Sequence, residues 1–178
     1  MGGRDKLLEP AGGLPLLTRT ARIACAAGAP VVAVLPPRSP QRRAALSGLP
    51  VALVEAPQPA RGMGHSLATG IRAVGSPDGV MILLADMPDI TAADLDALLR
   101  AVDGHAIVQA TTESGVPGHP VVFPRDLLPE LASLDGDRGA KPVLARHAGR
   151  IRRVPLPGER AATDLDTPGD WQDWRRRQ

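Results

Sequence analysis

Short apolar runs alternate with amphipathic stretches along most of this chain. Runs rich in valine, leucine and isoleucine predict strands over 31–35, 51–54, 80–85, 106–110, 121–123 and 151–156. Stretches with apolar residues at helical spacing predict helices over 16–27, 40–46, 64–74, 91–102, 124–134, 140–147 and 170–177. Alternating strands and helices favour right-handed crossovers and a mostly parallel sheet with helices on both faces. We therefore expect a three-layer, Rossmann-like α/β/α domain.

Residues at the helix starts agree with these bounds. Pro15 precedes the first helix, and Ser39 is placed to cap the helix at 40. Thr91 and Asp94 have capping-box spacing at the start of the helix over 91–102. Glycines and prolines over 115–120 predict a loop before the strand at 121.

Composition narrows the class of protein. A chain of 178 residues suits one domain, and we expect residues 1–178 to form it. No apolar stretch is long enough to span a membrane, and the start lacks the apolar region of a secretory signal. Aromatic residues make up 2% of the chain, which removes the stacking surfaces that single-stranded nucleic acid needs. We expect a cytoplasmic protein that binds neither nucleic acid nor membrane.

Carboxylates mark the first candidate site. Asp86 follows the apolar run over 80–85, and the carboxyl edge of an open α/β sheet is where ligands bind. Asp164 and Asp166 precede the last predicted helix. Such residues could together hold a divalent ion over a phosphate-bearing substrate. The alternatives are that Asp86 only caps a turn, or that Asp164 or Asp166 caps the helix in competition with Thr167.

Lysine use adds a second hint. Of 21 basic residues only Lys6 and Lys141 are lysines, and each lies near glycine in a polar segment. A compact ammonium on a flexible stem suits a phosphate oxygen. The lone Cys25 is expected in the core, and the spacing of His65 and His119 fits no metal pattern.

Six blocks of the chain, taken in order, carry a resemblance. They are Met1–Leu8 with the following Leu14–Leu17, then 62–71, 84–88, 118–123, 136–141 and 164–168. In this order they resemble the MobA-like NTP transferases, most closely the molybdenum cofactor cytidylyltransferases. The family's opening strand and most of its glycine-rich loop are not seen before Lys6. We therefore expect the N-terminus to be incomplete, with Met1 an internal methionine.

The resemblance implies a role for each block. It implies Mg²⁺ as cofactor, bound by Asp86 and Asp166, with Asp164 behind them, and Lys6 and Asp86 as catalytic residues. It implies that the nucleotide contacts Gly2, Gly3, Lys6, Gly62, Met63, Gly64, Ser66 and Asp86. The phosphorylated acceptor is expected to contact His119, Asp137 and Lys141.

Three functions are compatible with these residues. The first is transfer of a nucleoside monophosphate, CMP being favoured, from an NTP to a phosphorylated acceptor such as molybdopterin, with release of pyrophosphate. The second is the same transfer to a sugar phosphate or another phosphorylated acceptor. The third is a non-catalytic module that binds a partner such as a molybdenum hydroxylase, for which an exposed sheet edge would serve.

Overall fold

The computed structural model describes residues 5–177. Its strands are β1 Pro10–Ala11, β2 Leu14–Pro15, β3 Val31–Leu35, β4 Val51–Glu55, β5 Gly79–Ile82, β6 Ile107–Thr111, β7 Pro117–Pro124 and β8 Ile151–Pro155. Its α-helices are α1 Leu16–Ala26, α2 Pro40–Ala45, α3 Met63–Ala73, α4 Ala92–Arg100, α5 Leu128–Leu131, α6 Lys141–Arg146 and α7 Pro168–Arg176. Every predicted strand and helix therefore has a counterpart.

The four-stranded sheet is mixed, with β7 opposite in direction to its other three strands, and β1 and β2 form a separate antiparallel pair. β3 and β4 pair in parallel, and a four-stranded sheet has the order β5-β7-β6-β8. β7 runs antiparallel to β5 and β6, whereas β6 and β8 are parallel. β5, β6 and β8 thus share one direction, which confirms the mostly parallel α/β prediction.

Alternate residues of the four-stranded sheet enter two different apolar clusters. Val108 and Val122 pack with Leu95 and Leu98 of α4. Residues on the other face of the same strands, including Ile107, Val121 and Phe123, pack with α3, α5 and α6. Because successive side chains of a strand point to opposite faces, these clusters are the two helix–sheet interfaces of a three-layer domain.

Two helices also join the two sheets. On α3, Gly70 faces Val34 of β3, and the neighbouring Ile71 packs in the cluster that includes Val80 of β5. Leu17 of α1 packs in a cluster with Leu35 of β3, while Ile23 of the same helix packs against the cluster that includes Val108 of β6. Within residues 5–177 no ladder pairs β3 or β4 with the four-stranded sheet.

Several predicted boundaries were wrong. The strand expected over 80–85 ends at Ile82, because the next position on β7 is Pro120, which has no N–H to donate. The loop expected over 115–120 already belongs to β7 from Pro117. The helix expected over 124–134 is a 3₁₀ turn followed by the short α5. Ser39 donates to the Pro36 carbonyl instead of capping α2. In the described chain no helix is both long and apolar enough to cross a membrane.

Candidate functional site

Three predicted site residues from distant parts of the chain meet at one point. The Lys6 ammonium donates a hydrogen bond to Asp86, with 2.7 Å between Nζ and Oδ2. It also donates to Oδ1 of Asp166, 160 positions along the chain. The side chains of Lys6 and Asp86 are each about one quarter exposed, and that of Asp166 is mostly exposed. The site is therefore open to solvent and to a ligand on the Asp166 side.

Asp86 lies in a turn four residues beyond the end of β5, and several elements hold this turn. Its backbone carbonyl accepts from Leu165 N at 3.2 Å. The preceding carbonyl, of Ala85, accepts from Thr20 on α1. Met87 is buried in the core, and Asp89 accepts from the Trp174 indole of α7 at 2.7 Å. The turn is thus fixed from both sides, which fixes the direction of the Asp86 carboxylate.

The segment that carries Asp166 is anchored by its neighbours. Leu165 is fully buried, in a cluster with Leu16 and the two tryptophans of α7. Its alternation with the exposed Asp164 and Asp166 leaves both carboxylates outside the core. Thr167 and Asp170 form the capping box of α7, so the helix N-cap is supplied without either carboxylate.

Asp164 lies close enough to the other carboxylates to interact with them. Burial, together with the negative charges of Asp166 and Asp86, raises the pKa of Asp164 above its ordinary value. The Lys6 charge offsets only part of this effect. When ionised, the Asp164 carboxylate accordingly adds negative electrostatic potential near Lys6, Asp86 and Asp166.

A clamp that the sequence did not reveal fixes the backbone of Lys6. Lys6 begins a 3₁₀ turn whose N-cap, Asp5, accepts from Leu7 N at 3.1 Å. Arg42 of α2 donates to both Asp5 oxygens, at 2.6 and 3.0 Å. Burial alone would raise the pKa of Asp5, but the hydrogen bonds from Arg42 and Leu7 lower it. Neither residue was predicted from the sequence: an Asp just before the turn is a signal that could have indicated the N-cap, but nothing in the sequence links it to Arg42, 37 residues away.

The Lys6 side chain has its own electrostatic balance. Burial alone would lower the pKa of its ammonium, but the hydrogen bonds and charges of Asp166 and Asp86 raise the pKa above its ordinary value. Lys6 is therefore fully charged near neutral pH.

The predicted nucleotide loop, residues 62–64, docks together with the preceding Arg61 on the loop at 135–137. Gly64 N donates to the Gly136 carbonyl at 2.7 Å. Arg61 pairs with Asp135 through two bonds, Nη2 to Oδ2 at 2.5 Å and Nε to Oδ1 at 3.1 Å. Gly62 has φ +92° and ψ −177°, a conformation that only glycine adopts readily. This contact places the predicted nucleotide and acceptor loops side by side.

Close packing explains the glycine at 62 and exposes the methionine at 63. A Cβ on Gly62 would lie 2.1 Å from Oδ1 of Asp137 and 2.6 Å from the Gly136 carbonyl. The predicted acceptor residue Asp137 is therefore in contact with the nucleotide loop. Met63 is 54% exposed, and its sulfur faces Gly139. Ser66 lies in the first turn of α3, where its backbone N–H donates to the Gly62 carbonyl.

The His119 ring lies close enough to both Asp86 and Lys141 for their charges to act on it. Its Nδ1 is buried and has no hydrogen-bond partner among the described residues. Burial lowers the pKa of the imidazole, and the positive charge of Lys141 lowers it further. The Ile82 backbone and the Asp86 charge offset part of this shift. Burial thus favours the neutral form of the ring, and Nδ1 is a buried polar atom for which the described residues supply no hydrogen-bond partner.

The backbone around His119 is held by an unusually close approach. A Cβ on the preceding Gly118 would lie 1.8 Å from the Ala161 carbonyl oxygen, which instead accepts from His119 N at 2.9 Å. Lys141 begins α6. Of the predicted site residues, Gly2 and Gly3 lie outside the described residues.

The donor set at Asp86 and Asp166 suits a hard divalent cation. The two carboxylates already hold one cation, the Lys6 ammonium. Among residues 5–177 no group of three or more His, Cys, Asp or Glu side chains could hold a metal ion. Mg²⁺ takes one or two carboxylates and completes its shell with water and phosphate oxygens, so two carboxylates are enough.

Comparison with known proteins gives related sequences. A family model described as the MobA-like NTP transferase domain matches residues 1–151. Purine catabolism protein PucB of Bacillus subtilis is 32% identical over 121 residues, which are 65% of this chain and only 57% of that relative's length. A probable molybdenum cofactor guanylyltransferase of Synechococcus elongatus is 30% identical over 181 aligned positions, covering 96% of this chain and 89% of the relative.

Solved structures give the same picture for the fold. Rv0371c of Mycobacterium tuberculosis H37Rv superposes with a TM-score of 0.81 at 27% identity, covering 98% of this chain and 88% of its own. A manganese complex of the same protein superposes with a TM-score of 0.78 at 27% identity, covering 94% and 89%. The fold is thus shared along nearly the whole chain.

Proposed function

The chain belongs to the MobA-like NTP transferase domain family, and we propose that this nucleotidyltransferase uses Mg²⁺ to transfer CMP from CTP to the phosphate of an acceptor such as molybdopterin. In this reaction an acceptor phosphate oxygen forms a bond to the α-phosphorus of CTP. The bond from that phosphorus to the bridging oxygen breaks, and pyrophosphate leaves with the electron pair. The observation that carries the proposal is the meeting of Lys6, Asp86 and Asp166.

Asp86 and Asp166 are the residues that would hold Mg²⁺. When bound, the ion supplies positive charge to the phosphates. The fixed turn around Asp86 and the buried Leu165 hold the two carboxylates close to each other. Such positioning matters because phosphoryl-group chemistry depends on alignment and charge neutralisation rather than on a covalent nucleophile. The manganese complex of Rv0371c, a protein of the same fold, supports a divalent ion in the proposed role.

The two docked loops would bind the two substrates. In the proposal, residues 62–64 and Ser66 contact the cytidine, while Gly2, Gly3 and Lys6 contact the phosphates. His119, Asp137 and Lys141 contact the acceptor. The Lys141 ammonium attracts the acceptor phosphate, and the neutral His119 ring offers a nitrogen that already lacks a partner among the described residues. The contact between Gly62 and Asp137 would keep both substrates in one orientation.

The identity of the nucleotide and the identity of the acceptor are the two finer points of this function. The cytidylyltransferase-like blocks favour CTP, whereas the Synechococcus relative is named a guanylyltransferase, which favours GTP. A sugar phosphate would be the alternative acceptor. Delivery of the product to a molybdenum hydroxylase belongs to the proposal only if molybdopterin is the acceptor.

The test measures pyrophosphate release with CTP, GTP, ATP or UTP, Mg²⁺ and either molybdopterin or a sugar phosphate, and identifies the nucleotidyl product by mass spectrometry. We expect CTP with molybdopterin to be the best pair. Asp86→Asn should lower kcat/KM more than tenfold, which is at least about 1.4 kcal/mol of barrier. The matched control is Asp96→Asn on α4, which loses only an exposed ion pair with Arg100. No pyrophosphate from any pair, or a smaller effect at Asp86, would refute the proposal.

A further inference from the structure

Lys6 occupies the place that the proposed metal site requires. Its ammonium contacts one oxygen from each of Asp86 and Asp166, the two carboxylates that would hold Mg²⁺. A divalent ion bound to both carboxylates would lie against the ammonium, and two cations a few ångströms apart repel strongly in a partly buried site. In this geometry both carboxylates already have a cation as partner, the Lys6 ammonium.

The backbone of Lys6 is fixed although its charged end is not enclosed. The 3₁₀ turn is held through Asp5 by the two-bond contact with Arg42, and the neighbouring Leu7 packs against two apolar clusters. Beyond this anchor, Lys6 has four flexible methylene groups and a side chain that is 27% exposed. The ammonium can consequently move to a new partner while its Cα stays in place.

We propose that Lys6 closes the divalent-cation site in the nucleotide-free enzyme and leaves it for the triphosphate when metal and nucleotide bind together. This inference rests on the proposed function, because it takes Asp86 and Asp166 as the metal ligands. The triphosphate offers the ammonium new oxygen partners, so release of the carboxylates is compensated only when nucleotide is present. Metal and nucleotide should accordingly increase each other's affinity, as linkage requires.

The first test measures Mn²⁺ binding without nucleotide, by electron paramagnetic resonance of free Mn²⁺. Lys6→Met removes the charge and keeps a similar length, and we expect it to bind Mn²⁺ at least tenfold more tightly than the wild type. The matched control is Arg100→Met on α4, which removes an exposed positive charge paired with Asp96 outside the site, and for which we expect a change below threefold. Adding a non-hydrolysable CTP analogue should tighten Mn²⁺ binding to the wild type at least tenfold and to Lys6→Met much less. Equal Mn²⁺ affinities of wild type and Lys6→Met without nucleotide would overturn the inference.

A second test needs no substitution at Lys6. Because the chain has two lysines, lysine labelled with ¹³C at Cε gives two side-chain signals, which Lys141→Arg assigns. We expect the Lys6 signal to shift on titration with Mg²⁺ and the analogue together. Saturation of the site by both, with the Lys6 signal unmoved, would mean that the lysine stays on the carboxylates and that the inference is wrong.

The two proposals can fail separately. The Mn²⁺ experiment needs no turnover, so tighter binding by Lys6→Met together with no pyrophosphate from any substrate pair would leave Lys6 as the closing cation and remove the proposed reaction. Turnover with CTP combined with equal Mn²⁺ affinities would have the opposite meaning.

Discussion

Gly62→Ala tests whether the nucleotide loop depends on its contact with the loop at 135–137. The new methyl group would lie 2.1 Å from Asp137 Oδ1 and 2.6 Å from the Gly136 carbonyl carbon and oxygen. The Asp137 side chain can rotate away, but the Gly136 backbone cannot. The substitution also forces alanine into φ +92°, which costs about 1–3 kcal/mol.

The clash has an upper limit, because the loop can undock instead of absorbing it. Absorbing the overlap costs about 1–3 kcal/mol. Undocking loses the Gly64–Gly136 hydrogen bond, worth about 1 kcal/mol, and the exposed Arg61–Asp135 pair, worth at most about 1 kcal/mol. The cheaper route sets the outcome, so the steric part should cost about 1–2 kcal/mol beyond the strain in φ.

The matched control is Gly75→Ala, just beyond the other end of α3. Gly75 has φ +72°, but a Cβ there would meet nothing within 4 Å. Urea unfolding should therefore show Gly62→Ala to be less stable than Gly75→Ala by about 1–2 kcal/mol. Calorimetric titration should also show at least tenfold weaker CTP binding by Gly62→Ala, and unchanged binding by Gly75→Ala. Equal stabilities of the two variants would refute the loop contact as the reason for glycine at 62.

Three further predictions concern the elements around the site. Leu165→Ala should lower the free energy of unfolding by about 2–5 kcal/mol because Leu165 is fully buried, and it should also weaken Mn²⁺ binding in the presence of nucleotide. A loss of stability below about 1 kcal/mol would show that Leu165 does not contribute to the core as described. Burial keeps the pKa of His119 below its ordinary value, so below pH ~6.5 the unfolded chain binds more protons than the folded chain, and the free energy of unfolding falls as the pH falls. His119→Asn should flatten this pH dependence between about pH 7 and 5 in urea unfolding, and equal slopes for the two proteins would contradict the prediction. Thr167→Ala should lower the free energy of unfolding by about 1 kcal/mol through loss of the α7 N-cap, whereas Thr167→Ser should retain most of that stability. Equal losses in the two variants, measured by urea unfolding, would show that the hydroxyl is not the cap.

Local patterns were sufficient to predict most of the elements. The apolar runs at 31–35 and 151–156 and the helical spacing at 16–27 and 64–74 each correspond to an element within one or two residues. These patterns work because strand and helix periods are properties of neighbouring residues. The direction of β7 was not accessible in this way, since a period of two is the same for parallel and antiparallel strands.

For the candidate site too, some features could be predicted from the sequence and others follow only from the tertiary structure. Residue types and their order along the chain were enough to predict Asp86, Asp166 and Lys6 as site residues. That Lys6 bridges the two carboxylates, that Arg42 holds Asp5, and that Arg61 joins Asp135 follow only from the tertiary structure. These contacts join residues 37 to 160 positions apart, and their geometry depends on how the turns at the sheet edge are packed. A chain's local chemistry can name such residues, but only the folded arrangement determines which of them touch.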